Sequence, residues 1–287
     1  MKKLFALLTV ALLLVATLTS CMSQPLDGKT ADEALQVINT KMTAEKGLKV
    51  ALDMDLSLDM PNIMDLTVDM KGTTSMKQTE DTLLMDVLMN MSMSMEGALV
   101  GSQSTNATST MKYDGTTLYM TSAAGEGEDA AAKMKATADK DALLAAMANS
   151  SGSNPTVNID WNDWTAMKNA AIEKKDGKYI LTASEVSDDF RDAILGATDS
   201  LGALGGELEV TAVSVTMTCS PDGFCEKIVI GMDITLSVQG MDATMRLDAT
   251  ADYEKLASDF AVSAPADAAD YEEVDLDVIF PTIEDAE

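Results

Sequence analysis

The sequence predicts a mainly β protein of the α+β class, organised as one large, curved antiparallel sheet with a few covering helices. Two observations carry this expectation. Residues 83–95 place Leu83, Met85, Val87, Met89, Met91, Met93 and Met95 on every second position, with Asp86, Asn90, Ser92 and Ser94 between them. A period of two is that of a strand with one apolar and one polar face. Alternation of the same kind recurs at 48–60, 63–71, 226–238 and 241–249. The runs are long: thirteen residues at ~3.3 Å each span roughly 40 Å.

Composition narrows the function classes. The chain has 287 residues, enough for one large domain or two small ones with a sizeable core. It carries 47 acids against 20 bases, a net charge of −27, and no histidine. Such a polyanion repels nucleic acid and gains nothing from anionic lipid headgroups. Lack of histidine removes the commonest general base and the commonest metal ligand together. Aromatics make up only 4% while methionines number 22, so the apolar faces are built largely from a flexible, polarizable side chain.

Residues 1–20 read as a signal peptide. Lys2 and Lys3 open it, and Leu4 to Leu18 is apolar except for Thr9 and Thr17. The run is short for a stable membrane span. Leu18-Thr19-Ser20-Cys21 resembles a lipobox, where bacterial lipoprotein precursors are acylated on cysteine and cut just before it. That resemblance implies at least two palmitate-type acyl chains on Cys21, enough for stable anchoring in the cell membrane. It implies an extracytoplasmic location too. Residues 21–29 would form a short lipid-anchored tether.

The remaining elements follow in order. Thr30 and Glu33 form a capping box for a helix with Leu35, Ile38 and Met42 along one face and Gly47 as its stop. Strands are expected at 48–60 and 63–71 around a turn at Pro61-Asn62, then at 83–95. A Gly/Ser/Asn-rich loop leads to a hairpin, 109–113 and 117–121, around Asp114-Gly115. A second helix is expected at about 128–148. A second hairpin, 170–174 and 178–183, turns at Asp176-Gly177, and Ser187 can cap a third helix whose first turn holds Asp188 and Asp189. Long strands return at 208–218, 226–238 and 241–249. Residues 263–287 read as an acidic exit segment with a short strand at 276–280.

The chain resembles the LolA/LolB-like and LppX/LprG-like bacterial lipoproteins, and is most similar to the uncharacterised LolA-like lipoproteins of single-membrane bacteria. The matching pieces are 113–120 (YDGTTLYM), 173–182 (EKKDGKYILT), and the exit Asp252-Tyr253-Glu254-Lys255 with Pro265-Ala266-Asp267-Ala268. The likeness covers about residues 30–270, with the domain itself at 30–262. It implies a strongly curved antiparallel half-barrel whose concave apolar face holds a lipid, lipopeptide or other acylated molecule. It brings no catalytic residues and no cofactor. Cys219, Cys225 and the alanine-rich middle helix depart from the family pattern.

Candidate wall residues for such a cavity are Met54, Leu56, Leu58, Met85, Val87, Met89, Met91, Met93, Ile230, Met232, Ile234, Leu236, Met245 and Leu247. The competing readings are a plain core and, because thioethers suit Cu(I), a copper site; the methionines spread along whole strands instead of meeting at one point. Trp161 and Trp164 would line the cavity mouth or pack a helix on the sheet. Cys219 and Cys225 flank a five-residue turn, where facing positions can meet disulfide geometry, so a structural disulfide is expected; the alternatives are a redox-active pair, which lacks the two-residue spacing and helix start that lower a thiol pKa, and a pair of free thiols. Asp53, Asp55 and Asp59 lack the glycine and distal glutamate of a calcium loop and read as a solvated face, so no metal is expected. Phosphate loop, nucleophile elbow and zinc spacing are all missing, so the expectation is not an enzyme. The expected partners are the membrane, through the anchor, and a hydrophobic small molecule or lipid. The alternative is a surface or envelope interaction protein whose cavity is filled by its own side chains and whose partner is another envelope protein.

Overall fold

The structure, a computed structural model, describes residues 26–61, 63–97, 101–125, 131–150, 167–187, 207–238 and 241–280. The predicted signal segment, Cys21, Trp161, Trp164 and the third predicted helix lie outside the described residues.

The first helix, α1 (Ala31–Ala44), carries the predicted capping box: the Thr30 hydroxyl accepts from the Glu33 backbone N–H, and the Glu33 carboxylate accepts from the Thr30 N–H. Leu35, Ile38 and Met42 are buried, as the periodicity requires. The helix ends earlier than predicted. Glu45 is already extended, its N–H donating to the Met42 carbonyl. Gly47 begins the first strand instead, and a Cβ there would lie a tight 3.2 Å from the Leu256 Cβ.

The strands follow as β1 (Gly47–Met60), β2 (Met64–Gln78), β3 (Leu83–Gly97), β4 (Gly101–Tyr113), β5 (Thr117–Ala124) and β6 (Ala132–Thr137). Then come α2 (Lys140–Ser150), β7 (Met167–Lys168), β8 (Ala171–Lys175), β9 (Lys178–Ala183) and β10 (Glu185–Val186). The long strands β11 (Glu207–Cys219), β12 (Cys225–Val238) and β13 (Met241–Lys255) lead to β14 (Glu272–Glu273) and a short helix, α3 (Leu276–Ile279).

Twelve strands form one open, curved sheet in the order β14-β6-β5-β4-β3-β2-β1-β13-β12-β11-β9-β8. The N-terminal meander and the C-terminal meander join where β1 pairs with β13 along twelve residues, Leu48 with Lys255 through Asp59 with Thr244. Every pairing in the sheet is antiparallel except the two-residue β14–β6 contact. Strands β7 and β10 form a separate pair.

Several expectations change. The second strand runs on to Gln78, and the Gly/Ser/Asn-rich stretch expected as a loop is β4, paired with β3 from Gly97–Gly101 to Met85–Tyr113. Propensity is overridden there because β3 offers a full ladder of backbone partners and the polar side chains stand at the exposed end. The first half of the expected 128–148 helix is β6, whose Met134 and Ala136 face inward opposite Met120 and Leu118. The expected strand at 276–280 is α3. Both predicted Asp-Gly hairpins form: the Asp114 carboxylate accepts from the N–H groups of Thr116 and Thr117, and Asp176 and Gly177 both take positive φ, 50° and 77°.

Neither end of the domain is loose. Leu26, expected in a tether, is fully buried. The acidic exit segment packs back: Asp267 bonds Lys133 at 2.7 Å, the Tyr271 hydroxyl bonds Thr121 at 2.8 Å, and Ile279 and Phe280 join the core.

Gly72 sits mid-strand opposite Met89. A Cβ there would collide with the Met89 thioether and lie 2.6 Å from the Leu88 carbonyl oxygen. The Gly72→Val substitution is therefore expected to destabilise the fold by about 1–3 kcal/mol through overpacking, read from urea unfolding midpoints. An unchanged midpoint would show that Met89 moves aside freely.

Candidate functional site

Register turns the separate alternations into one surface. Directly opposed residues in antiparallel strands share a face. One row runs Ile230–Ala249–Met54–Met70–Met91–Ala107 from β12 to β4. The next runs Met232–Leu247–Leu56–Val68–Met93–Thr105, and the one beyond it Ile234–Met245–Leu58–Leu66–Met95–Gln103. A β-bulge between Val210 and Ala212 keeps β11 in phase, so that Val210 and Val213 both join this face.

The covering helices divide the face along the strands. At the end where β1 begins, α1 covers one half through Leu35, Ile38 and Met42 against Leu48, Leu181, Met217 and Ile228. On the other half, α2 and α3 cover Met76, Met85, Val87, Met89, Tyr113 and Leu118 with Leu143, Met147, Ile279 and Phe280. The Tyr113 hydroxyl closes this end by donating toward the carbonyls of Ala138 at 2.8 Å and Gly115 at 3.0 Å.

Toward the far ends of the strands the burial thins. Met54, Leu56, Leu58, Leu66, Met91, Met93, Met95 and Leu247 are only half-buried. Met232, Ile234 and Met245 form a small buried cluster of their own beside Leu56, Leu58 and Leu247. The sequence-predicted wall thus separates into two sets. Met85, Val87 and Met89, at most 4% exposed, are core under the helices. Leu56, Leu58, Met91, Met93 and Leu247 line the less covered part, alongside the buried trio Met232, Ile234 and Met245, while Met54 and Ile230 sit at its border, packed against the helix-covered clusters. The Leu236 side chain lies outside the described residues. Leu66 and Val210 complete the same surface, and Met70 belongs to the core under the helices; the shift in apolar phase between Val210 and Val213 is the signal for β11.

The opposite face is polar. Asp53, Asp55, Asp59, Asp65, Asp69 and Asn90 all point outward and are exposed. A sheet that crossed a bilayer would turn an apolar band outward; this one turns a charged one. Among the described residues no helix is long and apolar enough to cross a membrane. No group of three or more His, Cys, Asp or Glu side chains is placed to hold a metal among the described residues. The acids form a solvated face, with Asp53 bonded to Lys71 at 3.1 Å and Asp248 to Arg246 at 2.7 Å.

Asp55 and Asp69 face each other directly across β1 and β2. A hydrogen bond shared with Asp69 holds the Asp55 carboxyl above its ordinary pKa, with partial desolvation and the Asp53 charge adding to the effect. A raised carboxyl binds more protons folded than unfolded. Its contribution is therefore unfavourable at neutral pH and fades as pH falls through the raised value toward the unfolded one.

Cys219 and Cys225 are register partners at the start of the β11–β12 hairpin, both fully buried, and both are free thiols. The Cys225 N–H points to the Met42 sulfur at 3.3 Å, so the pair is of the non-hydrogen-bonded kind, whose Cα atoms lie ~4.5 Å apart, within disulfide reach. A hydrogen bond to Cys225, reinforced by burial, pushes the Cys219 thiol far up. Such a thiol is a poor nucleophile, which opposes a redox-active role.

No family model matches the chain, and no curated protein matches it. Several solved structures are similar at low level, among them these two. One is a β-barrel-like protein of a domain of unknown function from Brucella abortus, 10% identical, TM-score 0.27, covering 74% of this chain and 100% of that one. The other is an outer membrane channel from Pseudomonas putida F1, 7% identical, TM-score 0.23, covering 73% of this chain and 96% of that one. Similarity at this level decides neither fold nor ligand; the architecture stands on its own strand ladder.

Two measurements follow from the polar face and the thiols. Asp55→Asn should raise stability at pH 7 by at most a few tenths of a kcal/mol, because solvent screens so exposed a pair, and the gain should vanish near pH 3. Denaturant titrations at the two pH values check this, and a gain that persists at pH 3 would refute the shared-proton account. In the native reduced protein neither Cys219 nor Cys225 should react with a maleimide at pH 8, while both should react in denaturant. Rapid native labelling at either site would contradict their burial.

Proposed function

We propose that the chain is a lipid-anchored, extracytoplasmic, non-catalytic protein of the LolA/LppX-like kind. It holds a lipid or other acylated molecule on the less covered part of its apolar face, as carrier or chaperone. One observation carries the reading: a continuous methionine- and leucine-rich surface, from Met54 to Leu58 on β1 and across its neighbours, that the described helices cover at one end and that is only partly buried at the other. A run of apolar side chains left only partly buried in a folded chain supports a ligand there. An acyl chain laid there gains about 25 cal/mol for each Å² removed from water. Methionine accommodates chains of different shape.

The anchor rests on the lipobox-like Leu18-Thr19-Ser20-Cys21, which would tie the protein to the cell membrane through Cys21. A second reading has its own support. The helices fill the β1-start end of the face with buried side chains, as an interaction protein with a self-filled cavity would.

Native mass spectrometry of the exported chain, purified without detergent, separates the two. A stoichiometric adduct of lipid mass supports the carrier. A bare mass that persists after incubation with host lipid extract favours the interaction protein. Under the carrier reading, Leu56→Asp and Met93→Asp should each weaken binding of a fluorescent hydrophobic probe at least about tenfold, equivalent to ~1.4 kcal/mol. Both should leave the far-UV spectrum intact. Unchanged probe affinity in both variants would remove this face from the function.

A further inference from the structure

The residues that follow the anchor position are clamped to one end of the sheet, and this fixes how the trough would lie on a membrane. Leu26 is fully buried among α1 and the β9 and β11 side chains, and its N–H donates to the Pro221 carbonyl at 3.1 Å. The Asp27 carboxylate accepts from the Lys174 ammonium at 2.8 Å and from the Tyr179 hydroxyl. Lys174 also sits 5.1 Å over the Tyr179 ring. Chain entry is therefore pinned between the β8–β9 and β11–β12 hairpins, at the end of the sheet where β1 begins. From Cys21 to Leu26 the chain can reach ~18 Å at full extension. The half-covered, methionine-lined part of the face lies at the other end of β1, whose residues Gly47–Met60 span roughly 45 Å as a strand.

Charge divides along the same axis. In the far halves of β1, β2 and β3, Asp53, Asp55, Asp59, Asp65, Asp69 and Glu96 are opposed by one base, Lys71. Near the clamp the charges are mixed: Lys29, Lys174, Lys175 and Lys178 stand with Asp27, Asp32, Glu33, Glu173, Asp176 and Asp222. An anionic membrane surface would repel the far end more strongly than the near one.

We propose that the surface formed by the β8–β9 and β11–β12 hairpins and the start of α1 faces the anchoring bilayer, and that the methionine-lined end of the trough opens away from it, about 40 Å out, at the length set by ~3.3 Å per strand residue. This rests on the anchor reading above. Its consequence is that ligand enters and leaves on the side away from the bilayer to which the protein is tied.

Energy transfer in vesicles tests it. The exported full chain, with Trp161→Phe and Trp164→Phe, receives a single donor by Lys175→Trp on the near hairpin or by Asp59→Trp at the far turn, both exposed positions. Each is reconstituted in phosphatidylcholine vesicles bearing dansyl-labelled headgroups, and intact mass reports the acyl chains on Cys21. Strong transfer from the Lys175→Trp chain and several-fold weaker transfer from the Asp59→Trp chain is the expected result. Adding Leu26→Gly and Asp27→Ala should erase the difference, because the clamp and not the fold alone sets the orientation. Equal transfer from both donors in an acylated, clamped chain would overturn the orientation alone. Absence of acyl mass on Cys21 would sink the anchor reading and the bilayer-facing surface with it.

Discussion

The structure depends on one constraint, which is that the phase of the apolar alternation is held in common by every long strand. With side chains alternating faces, a slip of one residue in any pairing would turn a strand's methionines outward and its aspartates inward. The β1–β13 ladder is the joint where this matters most. It brings two meanders from opposite ends of the chain into one sheet and sets Leu56 beside Leu247 and Leu58 beside Met245. Where the sequence breaks phase, between Val210 and Val213, the bulge on β11 restores it. A single apolar surface then follows from pairing alone.

Much of this was legible in the residues. Thr30 and Glu33 announce α1, Asp114-Gly115 and Asp176-Gly177 announce their hairpins, and residues 83–95 announce the long strand. These are local signals, each backed by local chemistry. The misreadings share a cause. The 101–108 stretch of β4 and the 132–137 strand β6 have compositions suited to loop and helix, and become strands because β3 and β5 present unfilled ladders. Likewise Leu26 looks like tether until Pro221 and the α1 cluster, distant in sequence, give it a place. For the candidate site, alternation identified the face on β1, β3, β12 and β13. It gave no means to tell Met85, sealed by α2 and α3, from Met93, left half-covered, because that difference lies in where helices fall on the sheet and not in the strands.

Core and candidate wall are thus one material divided by covering. The covered end supplies stability: a helix set on a sheet buries large side chains on both and ties the chain ends through Leu26 and Phe280. At the less covered end the core narrows to Met232, Ile234 and Met245, with Leu56, Leu58 and Leu247 packed beside them. Methionine suits both duties. It packs densely against Gly72 and Tyr113 at one end, and at the other it offers a surface that reshapes at small cost. A Phe- or Trp-rich face of equal area would be stiffer and would fix the shape of what it holds.

An open sheet with this much backbone must also avoid pairing with its own copies, and its two edges show how it does so. At one edge, β8 carries Glu173, Lys174 and Lys175, all exposed, in a strand of five residues. At the other, β14 is two glutamates long. Short, charged edges are poor templates for further strands. A net charge of −27 adds long-range repulsion between molecules. The acidic outer face therefore has a sufficient physical reason that involves no bound cation: it keeps an open, methionine-lined sheet apart from its neighbours while the apolar face stays available.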